Sequence, residues 1–292
     1  MRTIDVWYER LSLEALDQYR SQVKRRVAKN YDKAVAKAES KNSLRAFAKL
    51  THSVNGELRI IGDPPLITPV EDVFKGAKAK EITKRLMELL AQYRKTLDGD
   101  IRHLVEDYRY VHAARKVVGV GSVGTRAWIV LFLGRDSGDP LFLQVKEAEA
   151  SVLEGFTGKS KFRQHGRRVV EGQRLMQAAS DIFLGWLSGT DPDGVTRDFY
   201  VRQLWDGKGS AEIEKMTPTT MGLYGRLCGW TLAHAHARSG DRIAIASYLG
   251  KGEQFDGAMA EFAEAYAEQN ERDFKEFEAA VEKGRMKAVT GL

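Results

Sequence analysis

Three glycines at 119, 121 and 124, in Val-Val-Gly-Val-Gly-Ser-Val-Gly-Thr-Arg, constrain this chain more than any other feature. The spacing G-x-G-x-x-G suits two phosphate-holding turns, one running from strand into helix and one joining two strands. The residues that follow separate them. A dinucleotide turn needs a helix next, because the helix N-terminus holds the pyrophosphate. Here the glycines lead into Ala127-Trp-Ile-Val-Leu-Phe-Leu133, bulky and β-branched residues that favour extended backbone. The glycines are therefore expected between two strands, in a hairpin able to fold over phosphates. A plain glycine-rich turn without a ligand is the competing reading.

A Gly-Arg-Asp-Ser-Gly-Asp-Pro turn at 134–140 leads into Leu141-Phe-Leu-Gln-Val-Lys146. Three β-rich runs joined by tight turns predict an antiparallel meander. A helix is expected over 166–180, with Val169, Val170, Leu175 and Met176 on one side. Two more strands, near 182–187 and 199–204, flank a loop whose Asp191 and Asp193 read as turn residues. Lys146 follows a hydrophobic strand. In protein kinases a third-strand lysine neutralises nucleotide phosphates and is held by a glutamate on the next helix. Glu171, on the expected helix, is the candidate partner, with Glu149 and Glu154 as nearer rivals. A solvated lysine at a strand end is the bland alternative.

The remainder reads as mainly helical. Helical patterns fill most of 5–50, where Ser12 suits an N-cap. Residues 58–61 read as a short strand stopped by Gly-Asp-Pro-Pro. From 81 to 112, Ile82, Leu86, Leu89, Leu90, Tyr93 and Leu97 fall at the spacing of one buried helical face. Further helices are expected over 221–238, 243–249 and 256–286. Cys228 is expected as a buried thiol, and Tyr266, Phe274 and Phe277 as core contacts.

The net charge of +6 is uneven, since residues 20–49 hold ten basic and two acidic residues. Basic residues recur at 25, 29, 33, 37, 41, 45 and 49, but a spacing of four drifts about 40° per step on a helix. The series smears into a spiral, so a solvated helical face outweighs a nucleic-acid-reading helix. No apolar run nears the roughly 20 residues a membrane span requires. A single cysteine cannot form an internal disulfide, and the first ten residues lack a signal-like apolar stretch. Together these favour a cytoplasmic setting without membrane contact.

Five runs, at 116–126, 140–148, 169–181, 199–204 (Phe-Tyr-Val-Arg-Gln-Leu) and 235–241 (Ala-His-Ala-Arg-Ser-Gly-Asp), closely resemble the bacterial family called domain of unknown function 2252. The resemblance covers nearly the whole chain and implies kinship with protein-kinase-like folds, which by itself does not establish activity. Full-length members resemble a kinase cut and rejoined in a different order. Ahead of the glycine loop they carry a Gly-Asp-x-His-x-x-Asn-type catalytic loop and an Asp-rich metal segment, and neither is found here. The resemblance thus implies a chain that begins partway through the family pattern. Without a base and magnesium ligands, phosphoryl transfer loses its positioned nucleophile and much of its charge stabilisation. The nearest echo of a catalytic loop, His234-Ala-His236-Ala-Arg238-Ser-Gly-Asp241, lacks the asparagine, and histidines two apart on a helix face different ways.

These readings converge on an α+β, protein-kinase-like fold with a five-stranded antiparallel small-lobe-like sheet, one helix, and a mainly helical surround. Three regions are expected: a helical segment over 1–112, a nucleotide cradle over 113–207 and a helical part over 208–292. Gly119, Gly121, Ser122 and Gly124 are the expected phosphate cradle, Lys146 its cation and Glu171 the group that orients Lys146. The implied ligand is ATP with magnesium, bound by a chain that is catalytically incomplete alone. One alternative is a non-catalytic module whose basic helix contacts an acidic partner or nucleic acid. Another is pairing with a separate chain that holds the missing catalytic portion, with an exposed apolar face as its symptom.

Overall fold

In the computed structural model the strands are β1 (Thr51–Val54), β2 (Glu57–Ile60), β3 (Ile67–Pro69), β4 (Arg109–Lys116), β5 (Ala127–Leu133), β6 (Pro140–Ala148), β7 (Gly185–Thr190) and β8 (Thr196–Gln203). The described residues are 2–10, 12, 33, 35–36, 42–74, 79–117, 119, 124–190, 194–204 and 211–288. Within the unit Met1–Arg238, β3 to β8 form one antiparallel sheet in the order β3-β4-β5-β6-β8-β7, and β1 pairs with β2 in a separate hairpin. The α+β class holds, but the main sheet has six strands rather than five. The additional strand, Ile67–Pro69, pairs with the end of β4. Its brevity and its proline suit an edge, where a missing N–H leaves no ladder bond unmade.

Both faces of the sheet are covered, which explains why β5 reads as an uninterrupted apolar run rather than an alternating one. On one face Val130, Phe132, Leu143, Phe199 and Val201 pack with Tyr93 and Leu97 at and after the end of the helix Ala79–Arg94. On the other, Ile129, Leu131 and Phe142 pack with Ala46 and Leu50 of the helix Ser43–Leu50 and with Ile60 of β2. Burial of each large apolar side chain contributes about 2 kcal/mol. Tyr93 is fully buried, and its hydroxyl donates to the Phe183 carbonyl at 2.7 Å, so its one polar group is satisfied inside the core.

The expected helix over 81–112 is interrupted. It ends at Arg94, a second helix runs Gly99–Glu106, and Arg109 opens β4. Leu-Asp-Gly-Asp at 97–100 supplies the break, with Gly99 in it. Tyr110, Val111 and His112 then favour a strand, where their bulk packs across the ladder. The expected strand at 58–61 is the second arm of the hairpin turned by Asn55 and Gly56, both at positive φ (52° and 82°). Ser12 is described but 13–20 are not, so its capping role, like most of the basic stretch over 20–49, lies outside the described residues.

The unit Ser239–Leu292 contains the helices Arg242–Leu249 and Gln254–Glu282. The first is capped by Asp241, whose carboxylate accepts the backbone N–H groups of Ile243 and Ala244 at 2.9 and 3.1 Å. Neither helix has a buried residue, and Tyr266, Phe274 and Phe277 are about half exposed, contrary to their expected core role. Their helical spacing is that of a packing face, although each of the three side chains is about half exposed. Cys228, on the helix Pro218–Ser239, is likewise exposed rather than buried. Among the described residues no helix is long and apolar enough to cross a membrane.

Candidate functional site

The glycine run joins β4 to β5, two antiparallel neighbours, as the residues following it require. Gly124 adopts φ +83°, a left-handed conformation that a side chain would strain. Gly119 has open space where a Cβ would stand. Gly121 and Ser122 lie outside the described residues, as do Asp191 and Asp193 of the later loop.

The return of this hairpin is tied to β6. Ala127 pairs with Lys146, and the Glu147 N–H donates to the Arg126 carbonyl at 2.8 Å. Lys146 in turn pairs with Tyr200 of β8, and Tyr200 with Trp186 of β7. Directly paired residues share a face. Ala127, Lys146, Tyr200 and Trp186 therefore form one row across four strands, beginning where the glycine run ends. Lys146 is half-buried, with its ammonium 5.9 Å from the Tyr200 ring centroid. No carboxylate among the described residues lies within ion-pair distance of it. Two residues along the ladder on the same face, Arg202 donates from Nε to the Gln144 amide oxygen at 3.1 Å.

Glu147 is a further member, on the opposite face. Its side chain is only 5% exposed and sits between Arg197 (3.1 Å) and Arg126 (3.4 Å). It also accepts the Arg126 backbone N–H at 2.8 Å. A buried carboxylate is tolerable only when paired and hydrogen-bonded in this way. The effect is to fasten the end of the glycine hairpin to the residue beside Lys146.

The helix His165–Met176 lies over the same face as Lys146. Gly166 permits the approach, because a Cβ there would collide with the Phe199 carbonyl and the Tyr200 nitrogen. Asp198 fixes the helix start, accepting the His165 N–H and the Ser188 hydroxyl, each at 2.8 Å. Glu171 stands on this helix, but its carboxylate is taken by Arg167 at 3.3 Å and is not within ion-pair distance of Lys146. Arg167 is held in turn against the Phe162 and Trp186 rings, 5.3 Å from each centroid. The expected orientation of Lys146 by Glu171 is thus replaced by an Arg167–Glu171 pair one helical turn long, a favoured spacing on a helix surface.

Two members of the catalytic-loop echo, His234 and Arg238, are engaged in packing and hydrogen bonding. His234 is in contact with Trp230 and, through Nε2, with Glu9 at 3.0 Å. Arg238 donates to the carbonyls of Trp7 (2.7 Å), Leu175 (2.8 Å) and Gln177 (3.2 Å), joining the N-terminal helix Thr3–Tyr8 to the end of the helix His165–Met176. Among the described residues no three His, Cys, Asp or Glu side chains gather where they could hold a metal ion.

Sequence reasoning did not single out Tyr200, Trp186, Arg202 or Glu147. Alternation along Phe199-Tyr-Val-Arg202, with apolar and polar faces exchanging at each residue, is the signal that places Tyr200 and Arg202 with Lys146.

A family model described as an uncharacterized protein conserved in bacteria, domain of unknown function 2252, matches residues 1–280. No curated protein and no solved structure matches the chain.

Proposed function

We propose that this chain, which belongs to the domain of unknown function 2252 family, binds a nucleotide, ATP with magnesium, against the sheet face that carries Lys146. The observation that carries the reading is the placement of Lys146: a half-buried ammonium in register with the end of a glycine hairpin. Connectivity supports it. The glycine hairpin joins β4 and β5, the lysine lies on β6, a helix follows, and β7 and β8 return so that β8 pairs with β6. We read this as the counterpart of a kinase small lobe, in which glycine loop, lysine and helix follow in that order.

The residues present fit the phosphates better than the metal. Lys146 and Arg202 supply cations, and Tyr200 and Trp186 supply rings for a base. Magnesium would have to be held chiefly by the phosphates, since the described residues offer no carboxylate cluster for it. The role proposed is therefore binding and orientation of the nucleotide, with no catalytic base assigned. Quenching of Trp186 fluorescence by ATP, absent in Trp186→Phe, tests the placement. Quenching that persists in the variant contradicts it.

A second reading, an association with a separate polypeptide, is favoured by the uncovered apolar residues. Leu232 on the helix Pro218–Ser239 is 57% exposed, and Phe262 and Tyr266 on the last helix are about 60% exposed. On the last helix Phe262 and Tyr266 stack on each other, and an exposed apolar cluster of that kind marks an interaction surface. Hydrogen exchange over these helices tests it: rapid exchange in the isolated chain supports a missing partner, and strong protection in a monomer opposes one.

A further inference from the structure

The sheet face opposite Lys146 is incompletely filled. Between it and the helix Ala79–Arg94 lies a mainly apolar cavity of about 270 Å³, walled by Phe74, Leu86, Leu89, Trp128 and Val145, with Glu81 and Arg85 also in its lining. Packed interiors close such voids, because atoms facing empty space lose their dispersion partners. An apolar cavity of about 150 Å³ stays dry and takes benzene, so on that scale this one takes about ten carbons.

A second cavity, of about 470 Å³, adjoins the first, and Val70, Ile82 and Tyr110 wall both. Its character is different. Glu57, Arg59, Glu71 and Arg109 line it, so its two cations and two anions balance. His112 lines it too. The ring accepts the Ile60 N–H at Nδ1 (3.1 Å), which leaves the proton on Nε2 to be donated to Glu71 at 3.0 Å. The Tyr110 phenol stands at the junction without a hydrogen-bond partner among the described residues. Burial first, and then the charge of Glu71, push its pKa upward, so the phenol keeps its proton as a donor. The ladder is bulged between Tyr110 and His112, and a bulge re-aims the side chains beside it.

We propose that the two cavities form one binding site for a small uncharged amphiphile. Its apolar ring or chain, of about ten carbons, lies against Leu86, Leu89 and Trp128. Its hydroxyl or amide head reaches the polar compartment and accepts a hydrogen bond from Tyr110. The two cations and two anions of that compartment sum to zero, which matches it to an uncharged head. The site is separate from the nucleotide face and does not depend on it, since the sheet lies between them.

The test is calorimetric titration of 2-naphthol, a ten-carbon apolar ring pair with one hydroxyl, into the full chain. Saturable binding of one molecule per chain is expected. It weakens at least tenfold in the cavity-filling variants Val145→Phe and Ala113→Leu, each checked for fold by circular dichroism. Tyr110→Phe weakens it about three- to tenfold, the size of one hydrogen bond. Naphthalene-2-carboxylate binds more weakly than 2-naphthol. Absence of saturable heat with folded wild type overturns the proposal. So does equal binding by the filled variants, which marks adsorption elsewhere, and so does tighter binding of the carboxylate. Should the filled variants fail to fold, nuclear Overhauser contacts between 2-naphthol and the Leu86 and Leu89 methyls decide for the site, and their absence against it.

Discussion

Lys146 and Tyr200 face each other across the β6–β8 ladder, with the lysine ammonium 5.9 Å from the centre of the tyrosine ring. The ring offers a weak attraction, and among the described residues no carboxylate lies within ion-pair distance of the ammonium, so Lys146 contributes little to folding. Lys146→Ala is expected to change stability by less than about 1 kcal/mol. A urea unfolding midpoint close to wild type meets this expectation, and a large loss would show Lys146 to be structural.

Glu147 is expected to matter more for stability than its neighbour. Glu147→Ala removes a nearly buried carboxylate from between Arg126 and Arg197, at a cost of about 3 kcal/mol. The same change removes one of the two bonds that hold the Arg126 backbone to this residue, so nucleotide affinity is expected to fall along with stability. Parallel chemical denaturation and ATP titration check both effects. Loss of stability with affinity intact would separate the glycine hairpin from this anchor.

Gly166→Ala tests the contact between helix and sheet. The added methyl meets backbone atoms of Phe199 and Tyr200, which cannot rotate aside as a side chain can. Forced displacement of the helix costs about 3 kcal/mol. Unfolding measurements on Gly166→Ala, with Gly172→Ala as the control, check this, because a methyl at Gly172 meets only the Met176 terminus at 3.9 Å. A control as damaging as Gly166→Ala would contradict the packing argument.

The Glu71–His112 pair sets a pH dependence. Burial opposes the Glu71 charge, but hydrogen bonds from its own backbone and from His112, with the charge of Arg59, outweigh it and hold the carboxyl below its ordinary 4.5. A depressed carboxyl adds stability above the unfolded value, and that stability is lost as pH falls through the folded one. Glu71→Gln should therefore be less stable than wild type at pH 7, with the gap closing below about pH 4.5. Thermal unfolding of both proteins from pH 7 to pH 3 measures the gap. A gap that is constant with pH would contradict the charge-based account.

Much of the sheet is legible in the sequence because its signals are local. Ala127 to Leu133 and Leu141 to Lys146 declare strands by β-branched and aromatic content, and the glycines between strands follow from what comes after them. The face of Ile82, Leu86, Leu89, Leu90 and Tyr93 is likewise written in its spacing, although the helix stops at Arg94. Asn55-Gly56 carried a hairpin signal that the paired prolines at 64–65 overshadowed. The partner of Glu171 was not legible, since Arg167 one turn away and Lys146 across the interface are both cations, and only the three-dimensional distance separates them. Glu147 was hidden for a related reason: strand alternation turns it away from Lys146, toward two arginines far apart in the chain. The spacing of Tyr266, Phe274 and Phe277 encodes a packing face, but a single chain's sequence does not say what covers it.

Calorimetric titration of magnesium-ATP into the wild-type chain and into Lys146→Ala tests the central claim most directly. Saturable binding to the wild type, weakened at least tenfold in a folded Lys146→Ala, is the predicted result; a tenfold change corresponds to about 1.4 kcal/mol. Absence of binding by folded wild type, or equal binding by the variant, would contradict the assignment of this face to a nucleotide.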